Sequence, residues 1–172
     1  MIGVSDSLMP YLVKGEAVKN TLIISPPGCG KTTLLRDIAR NLSIGFDHFS
    51  GTEVAVADER GELGAICGGI PGNDLGLRTD ILNNCPKTEG VMMLLRTMSP
   101  RVLITDEIGS PQDEAALFQA SLSGVSVICS AHGFSRQDIV GRMPGIAKLF
   151  EVFVTLEYKN GIHHIKSVED YA

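Results

Sequence analysis

The sequence contains no apolar run that approaches the roughly 18 residues of a membrane-spanning helix. Its first residues also lack the basic and then apolar pattern of a secretion signal. These two absences remove the usual sequence features of membrane proteins and of exported proteins. We therefore expect a cytoplasmic chain without a transmembrane segment.

Basic residues are few and scattered. The chain has 15 Lys and Arg against 20 Asp and Glu, for a net charge of −5, and no run of basic residues occurs. This balance disfavours a dominant nucleic-acid-binding surface. The four cysteines form no Cys-x-x-Cys pair and no metal-ligand spacing, which favours reduced thiols. A length of 172 residues and an apolar content of 44% fit one domain, residues 1–172, with a substantial core.

Residues 25–32, SPPGCGKT, follow an apolar run and precede a helical pattern, which is the context of a P-loop. In such a loop the backbone N–H groups at the start of the helix bind phosphate. Lys31 would reach the β- and γ-phosphates of ATP, and the Thr32 hydroxyl would bind Mg²⁺. Ser25 replaces the usual first glycine, and the two prolines after it donate no N–H group. The predicted nucleotide contacts are Pro27, Gly28, Cys29, Gly30, Lys31, Thr32 and Thr33.

Strand and helix patterns alternate along the chain. The predicted strands are residues 18–24, 54–57, 102–105 and 125–130, followed by a hairpin of 150–158 and 162–168 that turns at Asn160 and Gly161. The predicted helices are residues 5–13, 31–42, 86–98 and 111–123, with a short one that begins at Ser135. The glycine-rich segment 61–86 is predicted as a long loop. This alternation predicts an α/β domain with a mostly parallel central sheet, flanking helices and a C-terminal β-hairpin.

Polar residues follow the predicted strands at the edge where parallel strands end, and ligands bind at that edge in such sheets. Asp106 ends a run of uncharged residues, which is the Walker B pattern, and would hold Mg²⁺. Glu107 would polarise a water molecule for attack on the γ-phosphate. The alternative is a pair of exposed acids at a strand end. His132 would sense the γ-phosphate if its strand lies between the P-loop strand and the Walker B strand. The alternative is a histidine that caps a strand end.

Asp58, Glu59 and Arg60 follow another strand and leave two interpretations open. In one, the two acids lie near Mg²⁺ and its waters, and Arg60 neutralises transition-state charge across a subunit boundary. In the other, the segment is a solvated strand exit with a local ion pair worth ~0–1 kcal/mol. His163 and His164 are interpreted as surface residues of the hairpin. The other arginines that compete for the catalytic role are Arg78, Arg96, Arg101, Arg136 and Arg142.

Four segments together resemble the ATPase domain of the stage III sporulation protein AA family, which is similar to type II and type IV secretion and pilus-retraction ATPases. The segments are LIISPPGCGKTTLLRDIAR, VAVADERGELG, PGNDLGLRTDILNNCPKTEGVMMLLRTMSPRVLITDEIG and GVSVICSAHG. The resemblance covers roughly residues 7 to 168. The order of motifs also matches: Walker A, an aspartate box (VADER), Walker B (LITDE) and a histidine box (CSAHG).

The resemblance implies a RecA-like P-loop NTPase that hydrolyses ATP with Mg²⁺ and acts as a homo-oligomer, a hexameric ring. It further implies a motor that powers assembly of, or transport through, a sporulation-specific membrane channel complex. The protein would then work in the cytoplasm on the mother-cell side, peripheral to that complex. Family members carry an N-terminal domain, which we expect residues 1–172 not to contain. The long segment 61–86 departs from the pilus motors, so no pilus function is implied.

Three other functions stay open at this point. A nucleic-acid-dependent RecA-like ATPase is disfavoured by the acidic charge balance. A nucleotide-gated assembly scaffold is disfavoured because a scaffold does not need the acid that activates water, Glu107. A small-molecule kinase would need a pocket for the phosphate acceptor, and such kinases usually lack this second acid.

Overall fold

The computed structural model describes residues 2–159 and 162–171. The predicted turn at Asn160 and Gly161 lies outside the described residues. In chain order the elements are α1 (Met9–Leu12), β1 (Val13–Lys14), β2 (Ala17–Val18), β3 (Thr21–Ser25), α2 (Lys31–Ile44), β4 (Val54–Asp58), β5 (Thr79–Asn83), α3 (Lys87–Thr97), β6 (Val102–Ile108), α4 (Pro111–Leu122), β7 (Ser126–His132), α5 (Arg136–Arg142), α6 (Ile146–Leu149), β8 (Val152–Lys159) and β9 (Ile162–Asp170).

A seven-stranded sheet in the order β5-β4-β6-β7-β3-β8-β9 forms the centre of the described chain. All neighbouring strands are parallel except β8 and β9, which pair antiparallel at one edge. The predicted α/β fold with a mostly parallel sheet and a C-terminal hairpin is confirmed. β7 lies between the P-loop strand β3 and the Walker B strand β6, which is the order that places His132 beside both motifs.

Helices cover both faces of the sheet, so its central strands are buried on two sides. On one face α2 contributes Leu35 and Ile38 to a cluster that includes Val56 of β4. On the other face α3 and α4 contribute Val91 and Leu117. Strands that are buried on both faces become continuous apolar runs in the sequence, which is why β3, β4 and β6 could be recognised from composition alone.

Some boundaries differ from the sequence prediction. The first helix spans only Met9–Leu12, because the chain turns extended at Val13 and pairs with Val18. The segment 61–86, predicted as a loop, contains β5, which pairs with β4 as an edge strand. Its residues are only partly buried, so no continuous apolar run identifies it in the sequence. β6 continues through the two Walker B acids to Ile108 instead of ending before them.

Candidate nucleotide-binding site

The carboxyl ends of β3, β6 and β7 surround one cavity of about 400 Å³ beside the start of α2. Because these strands are neighbours in a parallel sheet, residues that are far apart in sequence meet at this edge. The cavity is lined by Pro27, Gly28, Gly30, Lys31, Thr32, Thr33, Arg60, Glu62, Asp106, Glu107, Ser130, His132 and His163. The structure thus brings most of the predicted nucleotide contacts to one place. Cys29 is buried and instead lines a neighbouring cavity of about 410 Å³.

The P-loop connects β3 to α2 through two glycines in left-handed conformation. Gly28 has φ of 74° and Gly30 has φ of 87°, which residues with a Cβ atom rarely adopt. Gly30 is the N-cap of α2, and no side chain caps the helix there. The first N–H groups of α2 are therefore free to bind an anion at the mouth of the cavity.

The Lys31 side chain is held by two main-chain carbonyls of the P-loop and by the side chains of Ser25 and His132. Its Nζ atom donates to the carbonyl oxygens of Ser25 (3.1 Å) and Pro26 (3.2 Å) and to the Ser25 hydroxyl (3.2 Å). Burial lowers the pKa of the Lys31 ammonium group, while Glu107 opposes that shift. The serine at the first P-loop position therefore has a function that glycine lacks, because its hydroxyl is an acceptor for the P-loop lysine.

A hydrogen-bonded chain joins Lys31 to Glu107 through His132. The Lys31 Nζ atom lies 2.9 Å from His132 Nδ1, and His132 Nε2 lies 2.8 Å from Glu107 Oε2. An ammonium group can only donate, so Nδ1 accepts and Nε2 carries the proton that is shared with the carboxylate. The arrangement connects the lysine that would bind phosphate with the acid that would activate water. His132 is not a simple strand cap, because both ring nitrogens contact groups of this cavity.

Asp106 and Glu107 are adjacent in sequence, yet both line the cavity. In a regular strand, successive side chains point to opposite faces. The pairing of β6 with β7 shifts between Thr105 and Glu107, so Asp106 is the extra residue of a bulge. Such bulges redirect side chains and are common beside functional sites. The local irregularity explains how one strand end supplies two acids to one site.

The residues present fit Mg²⁺. Asp106 is buried, and its Oδ1 atom forms no hydrogen bond of good geometry, although the Lys87 Nζ atom lies 3.2 Å from it. Burial raises the pKa of this carboxyl group, while the nearby Lys87 ammonium lowers it. Within residues 2–159 and 162–171 no group of three or more His, Cys, Asp or Glu side chains could hold a metal by itself. Mg²⁺ commonly takes only one or two carboxylates together with phosphate oxygens and waters, which Asp106 and Thr32 could accommodate here.

Asp58 has a different environment from that expected of a magnesium-site residue. It is fully buried, and its two carboxylate oxygens accept the backbone N–H groups of Leu63 (3.1 Å) and Gly64 (2.8 Å). It is absent from the cavity lining, as is Glu59, whose Oε2 atom lies 3.9 Å from Lys87 Nζ. Asp58 therefore organises the start of the glycine-rich segment instead of presenting a free carboxylate to the cavity.

Replacing Asp58 with alanine is expected to lower the free energy of unfolding by ~1.5–3 kcal/mol, because two buried N–H groups lose a charged acceptor. The additional stabilisation by Mg-ATP should persist. Thermal unfolding with and without Mg-ATP measures both quantities. Asp74→Ala is the matched control, since Asp74 lies in the same segment but its ion pair with Arg40 is exposed. Loss of the Mg-ATP effect at unchanged intrinsic stability would restore the metal-site role to Asp58.

Arg60 is the predicted catalytic arginine that the structure places at the cavity. Its Nη1 atom lies 3.6 Å from Glu107 Oε2 of the same chain. The contact lies within one chain, and on it we base the expectation that Arg60 acts in the site of its own chain. Arg78 instead supports a turn through the carbonyls of Ser43 (3.0 Å) and Ser50 (3.1 Å). The remaining competitors, Arg96, Arg101, Arg136 and Arg142, are also absent from the cavity lining.

The sequence interpretation missed four residues of this region. Glu62, Ser130 and His163 line the cavity, and Lys87 contacts both Walker B acids from outside it. His163 is exposed, as predicted, but its ring also lies beside Gly30 at the rim of the cavity. The signal for Ser130 was its place on the strand that ends in His132. No spacing in the sequence marks Lys87 or His163, because folding alone brings them to this edge.

The sequence is similar to those of a known protein family. The family described as "Sporulation stage III, protein AA" matches residues 1–171. The stage III sporulation protein AA of Bacillus subtilis (strain 168) is 47% identical over 150 residues, which are 87% of this chain. The chain spans 48% of that protein's length. No helix in the described ranges is long and apolar enough to cross a membrane.

Solved structures with the same fold include two bacterial ATPases. The DotB ATPase of Yersinia pseudotuberculosis has a TM-score of 0.71 at 12% identity, and the match covers 99% of this chain and 47% of DotB. The VirB11 ATPase of the Brucella suis type IV secretion system has a TM-score of 0.64 at 16% identity, over 96% of this chain and 52% of VirB11. At these identities the similarity establishes the shared fold.

Proposed function

The chain belongs to the sporulation stage III protein AA family, and on this premise we propose that it is a P-loop ATPase that binds and hydrolyses Mg-ATP. The observation that carries the proposal is the chain of contacts from Lys31 through His132 to Glu107 at the mouth of the P-loop. Lysine, histidine, carboxylate and arginine surround a single cavity of about 400 Å³. Such a set suits phosphate binding together with activation of water.

Each residue has a distinct task in this proposal. The N–H groups of residues 28–33 and the Lys31 ammonium bind the phosphates. Glu107 accepts a proton as the water oxygen bonds to the γ-phosphorus and the bond to the ADP oxygen breaks. His132 holds the Glu107 carboxylate through its Nε2–H group, and Arg60 offsets charge on the transferring phosphoryl group. Mg²⁺, held by Thr32 and Asp106, would supply further charge neutralisation on the phosphate oxygens.

We also propose the cellular setting that the family resemblance implies. The protein would act as a homo-oligomeric, hexameric ring at the cytoplasmic, mother-cell side of a membrane channel complex. Hydrolysis would power assembly of that complex or transport through it. The fold shared with secretion ATPases and the sporulation family support this setting. Its membrane partners should be recovered with the wild-type protein from sporulating cells and lost with a Lys31→Ala variant.

Mg-ATP should raise the melting temperature, because only the folded P-loop binds it. At ~100 times the Kd the gain is ~2.7 kcal/mol, or about 5–11 °C for a domain of this size. Lys31→Ala should abolish this shift, since the ammonium group contacts the phosphates. Thermal unfolding with Mg-ATP tests this, with the exposed Lys14→Ala as the control. An undiminished shift in Lys31→Ala would place the ATP site elsewhere.

A further inference from the structure

Lys87, the first residue of α3, is a buried cation outside the recognised nucleotide-binding motifs. Only 6% of the residue is exposed. Buried lysines need partners, because an uncompensated charge in the interior is very costly. The Lys87 Nζ atom lies 3.2 Å from Asp106 Oδ1 and 3.9 Å from Glu59 Oε2, and it donates to the main-chain carbonyl of Glu107. One side chain therefore contacts both Walker B residues.

These contacts lie where the sheet gives the Walker B strand least support. The ladder between β4 and β6 ends at the pair Ala57 and Thr105, one residue before the bulge. Beyond that point β6 pairs only with β7, and the register shifts at Asp106. Lys87 reaches this segment from α3 and contacts one acid through its carboxylate and the other through its backbone. It thus fixes the irregular part of the strand that presents both acids to the cavity.

Lys87 is itself absent from the cavity lining. Its contacts with residues of the cavity are those with Asp106 and Glu107, and we expect any effect on catalysis to pass through these two acids. The sequence alone indicates no functional role for Lys87, because Pro86 and Lys87 have the pattern of an ordinary helix start. An alternative role is purely structural, as an ion pair that stabilises the packing of α3. The two roles differ in whether the magnesium requirement changes when the lysine is replaced.

We propose that Lys87 is a positioning residue for both Walker B acids, which holds Asp106 for the metal and Glu107 for the attacking water. This inference rests on the proposed ATPase function. Partners in the outer shell of a metal site that orient its ligands typically contribute ~10–100-fold to metal affinity or activity. Lys87 has the contacts of such a partner, although it carries a positive charge itself.

Lys87→Met tests the proposal in the folded protein. The Mg²⁺ concentration that gives half of the thermal stabilisation by ATP should rise ~10–100-fold. ATP binding in EDTA should stay unchanged, and kcat should fall while KM for ATP at saturating Mg²⁺ stays constant. Lys87→Arg, which retains the charge and donors, should recover part of both losses. Lys19→Met is the control, because Lys19 forms an ion pair with Asp170 at the opposite end of the sheet.

If Lys87→Met does not fold, Lys87→Gln replaces it with the same expectation, since glutamine keeps an N–H donor but lacks the charge. A folded variant with the wild-type magnesium requirement and kcat would overturn the inference and leave only the structural role. A variant with lower intrinsic stability but an unchanged magnesium requirement would likewise overturn the inference and leave only the structural role. No response of the wild-type protein to Mg-ATP would overturn the proposed function, and this inference with it.

Discussion

Replacing Glu107 with glutamine is expected to leave Mg-ATP binding intact and to lower turnover by ~10²–10⁴, the usual contribution of a positioned general base. The Glu107 carboxylate lines the cavity, and its Oε2 atom lies 2.8 Å from His132 Nε2. In the proposed mechanism this carboxylate accepts a proton from water. Glutamine preserves the shape and an acceptor oxygen but has no basicity. Thermal stabilisation by Mg-ATP and phosphate release, measured on the same preparation, separate binding from chemistry.

Glu89→Gln provides the matched control for Glu107→Gln. Glu89 lies exposed in the first turn of α3, outside the cavity, so its amide variant should hydrolyse ATP at the wild-type rate. Hydrolysis at the wild-type rate by Glu107→Gln would show that another group activates the water. Loss of Mg-ATP binding in that variant would instead assign Glu107 to the binding of nucleotide or metal.

Replacing Arg60 with alanine is expected to lower turnover by ~10³–10⁵, the range measured for arginines that neutralise charge in phosphoryl transfer. Arg60 lies in the lining of its own chain's cavity, 3.6 Å from Glu107. We therefore predict that mixing Arg60→Ala with Glu107→Gln restores no activity, because no subunit then contains both groups. Phosphate release from the mixture at increasing protein concentration measures this.

Arg96→Ala is the control for Arg60, since Arg96 lies exposed in the last turn of α3. Its turnover should equal that of the wild type. Rescue on mixing would show that Arg60 serves the site of a neighbouring subunit, which is one of the two interpretations that the sequence left open. Wild-type turnover in Arg60→Ala would show that Arg60 has no catalytic role and only lies in a solvated segment after the strand.

The parts of the fold that were predictable follow from local chemistry. Strands buried on both faces give apolar runs, and the P-loop needs glycine where φ is positive, as at Gly30. Ser110 and Asp113 form the capping box at the start of α4 that their spacing predicts. Because parallel strands end at one edge, the approach of Lys31, Glu107 and His132 followed from the order of motifs.

The parts that were missed depend on tertiary contacts without a local pattern. β5 is a partly buried edge strand, and it forms because it pairs with β4 and not because of a pattern in its own residues. Asp58 follows an apolar run as a metal-site acid would, yet the loop folds back and occupies its carboxylate with the N–H groups of Leu63 and Gly64. Lys87 looks like any lysine at a helix start, and only the packing of α3 against β4 and β5 brings it to the Walker B acids.

The most direct test of the central claim is phosphate release from ATP measured together with particle mass on one sample, with and without Mg²⁺. We predict magnesium-dependent phosphate release by the wild-type chain, near-complete loss in Glu107→Gln, and a larger particle when Mg-ATP is present. A folded wild-type protein that binds and assembles with Mg-ATP but releases no phosphate would contradict the account and identify a nucleotide-gated scaffold.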